Sequence, residues 1–63
     1  MQTLTINGKN IQVSKFNSRE RAFSFMNHAT ICLAVMLGDD SRFWVCDMAD
    51  AQRLERTGYE WAA

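Results

Sequence analysis

Thr30-Ile31-Cys32-Leu33-Ala34-Val35-Met36-Leu37 is an almost unbroken apolar run, followed at once by Gly38-Asp39-Asp40-Ser41 and then by Arg42-Phe43-Trp44-Val45-Cys46. Turn-forming residues between two apolar segments of strand length spell a β-hairpin. A strand that is apolar on both sides of its pleat belongs at the centre of a sheet or under cover on both faces. Residues 31–37 are therefore expected in the middle of the sheet.

Upstream of this hairpin, Thr3-Leu4-Thr5-Ile6 and Ile11-Gln12-Val13-Ser14 alternate apolar with polar. Asn7-Gly8 stands between them, a pair suited to a two-residue turn because both positions need φ > 0. The chain thus opens with another hairpin, which points Leu4, Ile6, Ile11 and Val13 one way and Thr3, Thr5, Gln12 and Ser14 the other. Asn17 or Ser18 can cap the segment that follows, with Glu20 spaced to reach back to the cap amide of Asn17. Ala22, Phe23, Phe25 and Met26 then form a broad apolar arc at helical spacing that ends near Asn27-His28, and this arc is expected to be core.

Downstream, Asp47 can cap a second helix over Met48–Thr57, with Ala51 and Leu54 facing inward. Gly58 has the place of a left-handed terminating residue, and Tyr59 that of an apolar residue packing back on the last turn. Glu60-Trp61 either adds a short edge strand or docks. The resulting expectation is an α+β fold of ββαββα order: a four-stranded antiparallel sheet with two helices packed on one face and, as an option, a short C-terminal edge strand.

A chain of 63 residues has room for one core, so residues 1–63 are expected to form a single domain. Such a core rarely supplies more than about 3–5 kcal/mol, and an apolar share of 48% with two Trp, four Phe and four Met makes association the natural supplement. Seven basic residues balance seven acidic ones, which removes the general attraction to nucleic acid and anionic membrane. No apolar run approaches the length of a membrane span, and Met1-Gln2-Thr3-Leu4 lacks the blocks of a signal peptide. A cytoplasmic location without membrane attachment is the expectation, and there Cys32 and Cys46 would stay thiols.

If both helices cover one face, the other face carries Cys32, Ala34, Met36, Trp44 and Cys46 from the second hairpin. Such a patch is costly to expose, so a protein partner is expected there, either a second copy across a two-fold axis or another protein. Trp44, Met36, Cys46 and Cys32 would form its centre, with Ala34 permitting close approach and Arg42 at the rim. On that view Trp44→Ala would abolish association and leave the fold intact. The alternatives are that Tyr59-Glu60-Trp61 folds over the patch, or that the faces are reversed.

The chemistry-bearing residues are sparse. Cys32 and Cys46 lie fourteen positions apart without the close pairing of a zinc site, and a lone His28 offers no nucleophile, base and orienting group together. Asp39-Asp40 lacks the further oxygen ligands of a calcium loop and is a solvated turn. No enzyme activity, cofactor or metal is expected. The sequence points to a small interaction or regulatory accessory module. The second reading is a nucleic-acid binder using Lys15, Arg19 and Arg21, with Phe16 and Trp44 as stacking platforms. Zero net charge and the absence of a basic-aromatic motif weigh against it.

Overall fold

In the computed structural model, which describes residues 2–6 and 8–62, the first hairpin forms as its alternation demands. β1 (Gln2–Ile6) pairs antiparallel with β2 (Lys9–Phe16) from Gln2↔Val13 to Ile6↔Lys9. Gly8 supplies the left-handed turn residue with φ 78°, while Asn7 lies outside the described residues. β2 outruns its partner. Its last residues, Ser14, Lys15 and Phe16, pair instead with Val45, Trp44 and Phe43 of β4 (Phe43–Asp47), so one long strand joins the two hairpins.

On the far side of β4 lies β3 (Leu33–Leu37), in register from Leu33↔Asp47 to Leu37↔Phe43. The two-residue β5 (Glu60–Trp61) closes the outer edge of β3. The sheet is antiparallel, ordered β1-β2-β4-β3-β5, and carries two helices, α1 (Arg19–His28) and α2 (Met48–Arg56). The α+β class and the element order are as the sequence implied, and of the two readings left open for Glu60-Trp61 the edge strand is the one formed. The centre is not: β4 is the middle strand, β3 begins only at Leu33, and Ile31 and Cys32 precede it in an exposed connection.

The placement of the helices also differs from expectation. Residues opposite one another in an antiparallel pair share a face, so Ala34 with Cys46 and Met36 with Trp44 point one way, and Val35 with Val45 the other. The first set packs with Ile11, Val13 and the α2 residues Ala51 and Leu54. The second packs with Ala22 of α1, flanked by Phe16, Phe23, Met26, Leu33 and Phe43. The helices therefore lie on opposite faces, giving three layers where two were expected. The reason is in the apolar run itself, because a strand apolar on both sides of the pleat is stable only when both sides are covered.

Local chemistry explains how the helices are held. α2 starts at Asp47, whose Oδ1 accepts a 2.8 Å hydrogen bond from the Asp50 amide. It stops at Gly58, φ 110°, where the Tyr59 amide donates to the Leu54 carbonyl and the Gly58 amide to the Glu55 carbonyl, the paired bonds of a Schellman ending. α1 is less well anchored at its start: Ser18 takes the N-cap position but makes no side-chain cap bond, so the expected capping interaction is not formed.

Candidate functional site

The patch expected to meet a partner is interior. Trp44, Met36, Cys46 and Ala34 are 2%, 0%, 3% and 5% exposed, sealed beneath α2 and flanked by Tyr59 and Trp61. The rings of Trp44 and Tyr59 lie 5.2 Å apart. Of the residues assigned to that interface only Cys32 and Arg42 are exposed, one before β3 and the other in the β3–β4 turn, so the six do not share a surface. The alternative in which the C-terminal segment folds over the patch comes nearer, with α2 supplying the rest of the cover.

Two of the residues proposed for nucleic-acid contact are engaged within the chain. Lys15 Nζ lies 3.3 Å from Asp40 Oδ2 and 4.6 Å from the centroid of the Trp44 ring. Arg19 donates from Nη2 to the Ala62 carbonyl at 3.3 Å and lies over the Phe23 ring at 5.2 Å. Arg21 is exposed on α1.

Lys15 belongs to a cluster that fastens the β3–β4 turn to β2. Asp40 Oδ1 accepts from the Trp44 indole nitrogen at 3.1 Å and from the Arg42 amide at 3.1 Å. Desolvation pulls the Asp40 carboxyl upward, but the bonds from Lys15, the Arg42 amide and Trp44, with the Lys15 charge, outweigh it and hold the carboxyl below its ordinary range. Tyr59, which donates to Asp39 Oδ2 at 3.3 Å, is pushed up by desolvation and by the Asp39 charge. Cys46 is raised to about 12, chiefly by burial and secondarily by the charges of Asp50 and Asp47. Its sulfur is consequently a thiol at neutral pH and a poor nucleophile. Among the described residues no three His, Cys, Asp or Glu side chains come together as a metal site.

The feature that does stand open lies on the α1 face. α1 packs against β4, β3 and the end of β2, while the first hairpin runs on beyond it. Asn10, Gln12 and Ser14 therefore form a polar floor beside the helix. Phe25, His28 and Ala29 make one wall, Thr30 and Ile31 the end of that wall, and Leu33 with Val45 the apolar base. Cys46, Asp47 and Asp50 complete the lining, and the groove holds about 780 Å3. Ile31 is 64% exposed, and Phe25 is 43% exposed although its ring lies 5.3 Å from that of Phe16.

The polar atoms around the groove are largely fixed. His28 Nδ1 donates to the Ser24 carbonyl at 2.7 Å, which leaves Nε2 as the ring's other position. Asp47 caps α2, and Asp50 Oδ1 accepts from Arg53 Nη1 at 2.8 Å. Such a surface offers contact: apolar walls, amide and hydroxyl groups along the floor, and a carboxylate margin. Sequence reasoning missed it by placing Ile31 in a strand and Phe25 in the core. The available signal was the width of the α1 arc, since Ala22, Phe23, Phe25 and Met26 cover more of the helix than one sheet contact can bury.

No family model matches this chain, and no curated protein or solved structure matches it.

Proposed function

We propose that this chain is a small interaction module acting by contact, and that its docking surface is the groove beside α1 in place of the buried second-hairpin face. The observation that carries the reading is the pair Phe25 and Ile31, 43% and 64% exposed on the wall of a concave surface, in a chain whose second-hairpin residues Trp44, Met36 and Cys46 are covered by α2 on the other face. Leu33 and Val45 extend the apolar strip inward, and Asn10, Gln12 and Ser14 supply hydrogen-bonding groups along it. The fitting partner is a polypeptide segment that presents apolar side chains to Phe25 and Ile31 and a basic group toward Asp47.

The test compares tagged wild-type chain with Phe25→Ser/Ile31→Ser as bait in extract from the native host. A protein held by the wild type and lost from the variant, with both baits melting at similar temperatures, is the expected result. Equal recovery by both, or recovery by neither, would count against the groove.

A further inference from the structure

We propose that two copies of this chain pair through β1, antiparallel about a two-fold axis at Leu4, so that the two sheets become one continuous sheet. This goes beyond the groove reading and uses a different part of the molecule. The two edges of the sheet are treated unequally. The outer side of β3 is occupied by β5, with Met36 against Trp61 and Leu37 against Glu60, and the Ala62 amide donates to the Val35 carbonyl at 2.8 Å. On the outer side of β1 no strand lies among the described residues.

Edge strands that must stay single carry charges, proline or a bulge. β1 reads Gln-Thr-Leu-Thr-Ile, with no charge and no proline, and its register with β2 is unbroken across all five pairs. Because residues of an antiparallel strand alternate between bonding to one neighbour and pointing their amide and carbonyl outward, part of this edge is an unfilled ladder.

The sequence of β1 is self-complementary about its middle. With Leu4 opposite Leu4 of the second copy, Thr3 meets Thr5, Gln2 meets Ile6, and all five residues find partners without placing like charges together. Leu4 and Ile6 are only partly buried at the margin of the α2-side core, and α2 itself packs chiefly over β3, β4 and β5. The same side chains of a second copy would extend that core across the axis. Thr3 and Thr5 are exposed on the opposite face; the Thr5 hydroxyl donates to Asn10 Oδ1 within the hairpin at 3.1 Å, which leaves its oxygen to accept from the Thr3 hydroxyl of the second copy.

Sedimentation velocity from micromolar to millimolar protein tests the pairing. The expected result is a monomer–dimer equilibrium in the wild type. Thr3→Lys/Thr5→Lys sets lysine against lysine at two cross-strand positions and is expected to weaken association roughly tenfold or more, while still unfolding as a cooperative monomer when melted at a concentration where wild type and variant are both monomeric. A wild type that stays monomeric at millimolar concentration would overturn the proposal, as would a dimer unaffected by the lysines. A dimer lost in Phe25→Ser/Ile31→Ser and kept in the lysine variant would place self-association in the groove and overturn it too. Should the lysine variant fail to fold, amide exchange in the wild type decides: protection at Thr3 and Thr5 that rises with concentration supports the pairing, and protection independent of concentration refutes it.

Discussion

Gly38 illustrates how one residue can serve a purpose its sequence context disguises. It opens the Gly38-Asp39-Asp40-Ser41 turn, yet the left-handed backbone belongs to Ser41, φ 64°. A Cβ on Gly38 would instead run into the Trp44 indole and come within 2.8 Å of Asp40 Oδ1. Gly38→Ala is therefore expected to destabilise by about 1–3 kcal/mol through overpacking, measured by denaturant unfolding. Trp44→Ala should lose about 3–5 kcal/mol, comparable with the whole stability of so small a domain, and leave little folded protein. A folded Trp44→Ala variant would contradict the burial described above. Asp40 in the same cluster gives an acid signature. Its folded pKa lies below the unfolded value near 3.8, so its contribution is present above that value and fades as acid takes the pH through the lowered one. The stability gap between wild type and Asp40→Asn should accordingly shrink between about pH 5 and pH 2. A gap independent of pH over that range would remove the carboxylate from the account.

Among the elements, α2 is the one whose ends were written most plainly. Asp47 at the start and Gly58-Tyr59 at the end do in the structure what their chemistry implied, and Ala51 and Leu54 are fully buried. Replacing the cap, Asp47→Ala, should reduce stability by about 1 kcal/mol, and Asp47→Ser should restore most of it. If both variants lose the same amount, the cap bond is not the cause. The hairpins and both ends of α2 were legible because they depend on neighbours in sequence, whereas the cap expected for α1 at Asn17 or Ser18 is not made. The side of the sheet on which each helix lands depends on how the chain crosses it, and no local pattern records that directly. The apolar run from Ile31 to Leu37 held the clue, since Val35 and Met36 point to opposite faces and both are 0% exposed. Assigning both helices to one face left Trp44 and Met36 outside, and the expected docking patch followed from that single choice. Phe25 and Ile31 were misplaced for the converse reason, because apolar character alone does not tell a wall of a groove from a buried contact.

The whole molecule is unevenly sealed. On the α2 side eight buried residues, Trp44, Met36 and Leu54 among them, form one continuous cluster. On the α1 side the buried residues among those described are Ala22, Val35 and Val45, with partly exposed aromatics around them and the groove alongside. α1 also lacks a side-chain cap at Ser18. Local opening should follow this asymmetry, since segments with little buried apolar contact open at lower free energy than the core. In native-state hydrogen exchange, amides of α1 are expected to exchange well before those of α2, β3 and β4, with the slowest set centred on Val35, Val45 and Leu54. The division of labour is then physical: the α2 face carries the stability, and α1 is left adjustable beside the surface proposed for docking. Uniform protection across both helices would mean that α1 is held as firmly as α2, and the groove would have to accept its partner as a rigid surface.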